Sequence, residues 1–360
     1  MEKEPNNTKK CCYPKEKFTE EFINNNLNTA VAEIPVVSTE LSITDKTGAL
    51  KARLTFGRMD YKVNPGIYAV GNPGHDSIVL VSANYKLSFD ALRKELKGLD
   101  AWIMVIDTKG INVWCAAGKG TFGTKEIINR IVATKLDKLV SHRKLIVPQL
   151  GAPGVAAHEV KKASGFSVVY GPVRAKDIKA FLNADMEATP KMRKVEFSLY
   201  DRFILTPAEV VNWSKYLLLA IAAFFLLSLI NVKDFNFNYS LVSSLRAVFN
   251  LTLSYFFGTV VGPILLPWLP GRSFSVKGLF LGLGLLSLLF LLKVMGNSSL
   301  EIIAWIFIVP AIVSFVNLNF TGSSTYTSLS GVRKEMKVAV PIQLAASLMG
   351  VVLWIACRFL

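Results

Sequence analysis

From Tyr216 onward the chain changes character: only twelve of its last 145 residues are charged. Apolar runs of membrane length lie there at about 215–232, 247–269, 276–295, 300–320 and 338–357. A helix of roughly 20 apolar residues crosses a bilayer, so the sequence predicts five spans. Glycines in the second and third runs, and prolines in the second, fourth and fifth, are tolerated in membrane helices whose neighbours satisfy the backbone. The mean hydropathy of +0.39 fits a chain with a membrane portion.

The remainder reads differently. Residues 1–33 are rich in Asn, Lys and Glu and are expected to be a flexible tail. Its one notable feature is the vicinal pair Cys11-Cys12, either a soft-metal site or incidental. Residues 34–60 alternate through Ser42-Ile43-Thr44 and again from Leu50 to Phe56, with Asp45-Lys46-Thr47-Gly48 between them, which predicts a hairpin. From 66 to 185, short apolar strands alternate with helical periodicity. Gly66–Val70, Ile78–Val81, Ala101–Ile106, Leu145–Val147 and Phe166–Val169 read as strands. That order predicts a Rossmann-like α/β domain with a parallel sheet over 34–185. Residues 186–213 read as a linker and 214–360 as an all-α transmembrane domain of five helices.

Net charge and cysteine use narrow the function. The formal charge is +15, yet no block of five or six basic residues stands out. A basic protein beside an anionic leaflet explains this better than nucleic acid. The four cysteines, Cys11, Cys12, Cys115 and Cys357, have neither disulfide-framework nor zinc spacing, and suit a reducing compartment. The N-terminus shows no apolar leader, so the N-terminal half is expected in the cytoplasm and the chain as a multi-pass protein of the inner membrane. Positive charge supports that orientation by five (Arg272, Lys277, Arg333, Lys334, Lys337) against four (Lys233, Arg246, Lys293, Arg358).

One loop carries the chemistry. Asp107 to Gly123 follows the strand 101–106 and so lies at the carboxyl edge of the sheet, where α/β folds bind ligands. Gly118-Lys119-Gly120-Thr121-Phe122-Gly123 matches G-x-G-x-x-G. However, a long loop separates it from the strand and no acidic residue follows about 20 positions on. A phosphate loop fits less well, lacking the upstream Gly and a Ser or Thr directly after Lys119. On residue type alone, Cys115 reads as a small buried hydrophobe.

The segment Asn112-Val113-Trp114-Cys115-Ala116-Ala117-Gly118-Lys119 resembles the signature of the corrinoid protein of the microbial mercury-methylation pair: Asn, an aliphatic residue, Trp, Cys, two small residues, Gly and Lys. Ala83-Asn84-Tyr85-Lys86-Leu87-Ser88, Pro148-Gln149-Leu150-Gly151-Ala152 and Gly171-Pro172-Val173-Arg174-Ala175 resemble the same family, as does the five-span tail. The resemblance covers roughly 55–360. The family's soluble domain is similar to the large subunit of the corrinoid iron–sulfur protein of acetyl-CoA synthesis.

The resemblance implies a cobalamin-type corrinoid, with Cys115 as catalytic residue and lower axial ligand to cobalt, on a cap helix beginning near the cysteine. Hg(II) is an electrophile and needs a methyl carbanion or radical equivalent. A thiolate opposite the methyl group pushes electron density onto the metal and favours that polarity. A nearby metal or helix N-terminus favours the thiolate. Ala116, Ala117, Gly118 and Gly120 would let backbone lie close to the corrin; Val113 and Thr121 are implied cofactor contacts. Trp114 either packs on the macrocycle or anchors the cap in the core. Asn112 contacts the cofactor or caps the helix. Lys119 pairs with a corrin side group or faces water. Asn84, Tyr85, Gln149 and Gly171 are implied cofactor contacts; Arg174 reaches the nucleotide tail or forms a surface ion pair. The implied activity is a corrinoid-dependent methyltransferase that makes methylmercury. Its implied partners are a methyl-donor methyltransferase and a small two-[4Fe-4S] ferredoxin-like reductant, since the cysteines here cannot hold a cluster. The alternative is a membrane-anchored corrinoid carrier, or methyl transfer to an acceptor other than mercury.

Overall fold

The computed structural model describes residues 21–228, 237–320 and 329–359. Cys11 and Cys12 lie outside the described residues. Two compact units emerge: residues up to Val195, apart from Arg53–Thr55, and the rest from Glu196.

The first unit is a seven-stranded sheet flanked by helices. Its elements are β1 (Ile23–Asn28), β2 (Glu33–Val37), α1 (Ile43–Arg53), β3 (Gly66–Val70), β4 (Ile78–Ala83), α2 (Lys86–Arg93), β5 (Ala101–Ile106), α3 (Val113–Lys119), α4 (Thr124–Ala133), α5 (Leu136–Leu139), β6 (Lys144–Val147), α6 (Ala157–Ser164), β7 (Ser167–Tyr170) and α7 (Ile178–Asn183). The strand order is β1-β2-β3-β5-β4-β6-β7. β5, β4, β6 and β7 run parallel, whereas β3 is antiparallel to β5. The sheet is therefore mixed. A parallel crossover needs a dozen or more residues, and only residues 71–77 join β3 to β4.

The expected hairpin over 34–60 is not present. Residues 43–53 form α1, because Ser42 and Asp45 cap it reciprocally: Ser42 Oγ accepts from Asp45 N–H (3.0 Å) and Asp45 Oδ2 accepts from Ser42 N–H (2.9 Å). Asp45 also pairs with Lys86 and with Arg93 (2.7 Å), which are bonded to Asp90 at 2.8 and 2.7 Å. Arg93 is fully buried, so this network ties α1 to α2. An antiparallel hairpin lies earlier, where β1, inside the segment expected to be tail, pairs with β2.

Both faces of the sheet are covered. Trp102, Met104 and Ile106 of β5 pack with Ala116, Ile127 and Val160 of α3, α4 and α6. Ile103 and Val105 point the other way, to Phe89 and Leu92 of α2 and Phe181 of α7. Burial on both faces explains why these strands read as unbroken apolar runs.

The second unit is helical: α8 (Leu199–Phe203), α9 (Thr206–Ser228), α10 (Phe237–Phe256), α11 (Gly262–Leu265), α12 (Phe274–Leu291), α13 (Ser299–Asn319) and α14 (Leu329–Ala356). A π-helical turn, Phe257–Val261, joins α10 to α11. Among the described residues, five helices are long and apolar enough to cross a membrane: Leu199–Ser228, Leu241–Leu265, Phe274–Leu291, Ser299–Asn319 and Ser330–Ala356. Each expected run falls on one of them, with residues 229–232 of the first run outside the described residues. The first begins inside the charged segment read as a linker, since Ser198 and Asp201 form a capping box there.

Candidate corrinoid-binding face

The connections position the site. β4 leads through α2 on one face of the sheet to β5; the chain then crosses β4 to reach β6 through helices on the other face. The loops leaving the neighbouring strands β4 and β6 therefore diverge, which opens a crevice at their carboxyl ends. A cavity of about 310 Å³ occupies it, lined by Leu80, Ser82, Leu92, Asn112, Val113, Trp114, Ile146, Pro148, Leu150, Gly171, Pro172, Val173 and Ile178.

The loop before α3 is under conformational constraint. Lys109 (φ 60°) and Gly110 (φ 72°) are both left-handed, and Lys109 is there without glycine's freedom. Asn84, only 3% exposed, holds them: its Oδ1 accepts from the N–H groups of Thr108 (3.1 Å) and Gly110 (3.0 Å), while its Nδ2 donates to Asp107 Oδ1 (3.2 Å). Asp107 also accepts from Lys109 N–H (2.9 Å) and pairs with its ammonium (2.6 Å). Burial raises the Asp107 pKa, but the bonds to Lys109 outweigh it and leave the carboxyl below its usual range.

The helix α3 sorts its residues by face. Val113, Ala116 and Ala117 are buried, whereas Trp114, Cys115, Gly118 and Lys119 are exposed. Cys115 is thus no core residue, because the buried face belongs to Val113 and the two alanines. Asn112 caps the helix, its side chain accepting from Cys115 N–H at 2.9 Å. Trp114 is 39% exposed and lines the cavity, so it does not anchor the cap in the core. A Cβ on Gly118 would meet nothing within 4 Å. Cys115 and Gly118, one turn apart, therefore present a thiol beside bare backbone.

The glycine motif lies between two helices rather than between a strand and a helix, its last residue, Gly123, being the N-cap of α4. Gly120 is left-handed (φ 78°) and terminates α3, while the N–H groups of Thr121 and Phe122 return to Ala116 O at 3.0 and 3.1 Å. Phe122 is fully buried. This geometry leaves no dinucleotide-type turn between strand and helix. The Gln149–Gly154 turn after β6 packs against α3 so closely that a Cβ on Gly154 would lie 2.2 Å from Phe122 O.

Of the residues singled out in the sequence, Asn112, Val113, Trp114 and Gly171 come together around the cavity; Cys115 is beside it on the exposed face of α3. Asn84 acts on the loop instead. Tyr85 is buried at the start of α2. Gln149 accepts from Arg193 at 3.4 Å, and Arg174 precedes the short turn at Ala175–Asp177. Ala116 and Ala117 support α3 from below. No motif marks Leu80, Leu92, Ile146 and Ile178, which line the cavity as ordinary core residues of β4, α2, β6 and α7.

Residues 51–182 match the family of the CO dehydrogenase/acetyl-CoA synthase delta subunit. The chain is 30% identical over 127 residues to the acetyl-CoA decarbonylase/synthase complex subunit gamma of Archaeoglobus fulgidus, covering 35% of this chain and 27% of that protein. It is 27% identical over 131 residues to the corrinoid/iron-sulfur protein large subunit of Moorella thermoacetica, covering 36% and 28%. The chain thus spans about a quarter of the length of the curated relatives it matches. The similarity relates the α/β unit to corrinoid proteins.

The residues at the crevice fit a corrinoid. A corrinoid is a broad macrocycle rimmed by polar amide groups with a metal at its centre; the open face at Gly118, a crevice lined by both polar (Ser82, Asn112) and apolar side chains, and the exposed Cys115 thiol as a soft donor suit these.

Proposed function

We propose that the α/β unit is a corrinoid-dependent methyltransferase that acts on inorganic Hg(II) and releases methylmercury. When bound, the corrinoid supplies a methyl group that Hg(II) can take with the bonding electron pair. The observation that carries this reading is the shared exposed face of Trp114, Cys115 and Gly118 beside a crevice at the topological switch point. Cys115 would hold the cobalt as a thiolate. Trp114 would pack on the ligand's edge, and Gly118 would let the α3 backbone approach it. Asn112 fixes the Cys115 backbone, and Asn84 fixes the loop before it. Gln149, Gly171 and Arg174, from the loops after β6 and β7, would contact the rest of the ligand.

The α/β unit is read as cytoplasmic and the five apolar helices as its inner-membrane anchor. A methyl-donor methyltransferase would load the site. A ferredoxin-like protein would supply the electrons that each turnover consumes, because the four cysteines lack the spacing of a cluster site. The names of the matched relatives favour a second reading, in which the methyl acceptor is not mercury.

The test is methylmercury formation by anaerobic membranes given Hg(II), a methyl donor and a ferredoxin. Wild-type protein forms methylmercury, and Cys115→Ala loses most of it. Corrinoid-loaded protein that forms none supports the second reading instead.

A further inference from the structure

The helical unit carries a groove of about 770 Å³ between α12 and α14, with α13 as its floor. Gly278 and Gly282 seat α12 on α13: a Cβ on either would lie 2.7 Å from the Cα of Ser314 or Pro310. α14 meets α13 closely at Gly350, where a Cβ would lie 2.6 Å from Ile308. Over Pro310 and Ala311 the two outer helices stand apart. Leu279 and Leu283 of α12 and Val338 and Ile342 of α14 form the walls, and all four are exposed.

The charge in this groove lies at one end. Arg272, just before α12, and Lys334, near the start of α14, line it there with exposed side chains. Among the described residues neither forms an ion pair. The acid among the described lining residues, Glu335, is committed: its Oε1 accepts from Ser275 N–H at 2.5 Å. That bond sits in the first turn of α12, where the helix dipole favours a negative charge. The connections 266–273 and 321–334 contain no acidic residue.

The dimensions match a lipid. From Gly331 to Ala346 the lining follows α14 for about 22 Å at 1.5 Å per residue. One leaflet with its headgroup layer is roughly 20–22 Å deep. We propose that this groove holds one anionic phospholipid, its headgroup phosphate between Arg272 and Lys334 and an acyl chain along the walls. A zwitterionic lipid would cover the walls, but its own ammonium would oppose the two cations. A soluble phosphate would meet the cations and leave the walls uncovered. The proposal rests on the reading of the five helices as a membrane anchor and not on the corrinoid reading. Retention of the chain in carbonate-washed membranes tests that anchor by itself.

Native mass spectrometry of the full chain in detergent tests the site, with phosphatidylglycerol and phosphatidylcholine of the same acyl chains as probes. The proposal expects the first phosphatidylglycerol to bind about tenfold tighter than the first phosphatidylcholine, and later molecules to show no such preference. Arg272→Gln with Lys334→Gln should abolish the preference. Arg333→Gln with Lys337→Gln removes the same charge from positions outside the lining and should keep it. Equal binding of the two lipids by the wild-type chain overturns the proposal. An equal loss in both double variants overturns it too, and makes the preference one of diffuse surface charge. Displacement of phosphatidylglycerol by glycerol 1-phosphate also overturns it, leaving a soluble phosphate as the ligand. The wild-type comparison stands even where a variant does not fold.

Discussion

Asn84 and Gly110 lie 26 residues apart, yet the Asn84 side chain accepts the Gly110 N–H at 3.0 Å. That bond closes the left-handed turn from which α3 departs, so the placement of Cys115 depends on a residue that does not line the cavity. Asn84→Leu strands the buried N–H groups of Thr108 and Gly110. We expect it to cost about 3 kcal/mol, since each orphaned donor costs roughly 1–3 kcal/mol. Urea unfolding measures this, and corrinoid retention on gel filtration should fall in parallel. Asn84→Asp keeps the acceptor but faces Asp107, and should fall between the two.

The seat of α3 gives a second prediction. A Cβ at residue 154 would lie 2.2 Å from Phe122 O and 3.1 Å from Ala117 Cα, and neither backbone atom can turn aside. Gly154→Ala should destabilise the unit by about 1–3 kcal/mol and shift α3. Gly118→Ala meets open space; it should leave stability nearly unchanged yet weaken corrinoid binding. A thermal melt beside a corrinoid titration separates the two effects.

The buried network at α1 sets an acid limit. Burial raises the Asp45 pKa, but bonds to Lys86, Ser42 and Arg93 outweigh it and bring it from 3.8 down to about 2. A depressed folded-state pKa contributes stability above the unfolded value, which is lost as pH falls through the folded one. Stability from Asp45 should therefore be complete above about pH 4 and disappear towards pH 2. Asp45→Asn leaves Lys86 and Arg93 to share Asp90 and should cost about 2 kcal/mol near neutral pH. Urea midpoints for the two proteins should converge at pH 2.

Trp114 provides a fourth test. It is partly exposed and lines the cavity, so its removal should cost the apoprotein little. Trp114→Ala should change the melting temperature by only a few degrees while weakening corrinoid binding several-fold. A large loss of apoprotein stability would instead show that the ring is a packing residue.

Much of this was legible in the sequence. Unbroken apolar strands announced a sheet covered on both faces, and the spacing of apolar runs gave all five long helices. The direction of β3 was not legible, because it depends on a short connection rather than on its own residues. The helix α1 was hidden by alternation around Ile43 and Leu50; the Ser42–Asp45 capping pair was the signal against a turn. At the site, Cys115 looked like a core residue by type, and helical periodicity decides otherwise: Val113, Ala116 and Ala117 take the buried face. The cavity floor was invisible because Leu80, Leu92, Ile146 and Ile178 are ordinary core side chains until the fold brings them to one crevice.

The most direct test of the account is the cobalt K-edge X-ray absorption spectrum of the corrinoid-loaded full chain. The account predicts a sulfur ligand on cobalt in the wild-type protein, absent from Cys115→Ala that still holds the corrinoid. Cobalt with only nitrogen and oxygen neighbours in the loaded wild-type protein would contradict it.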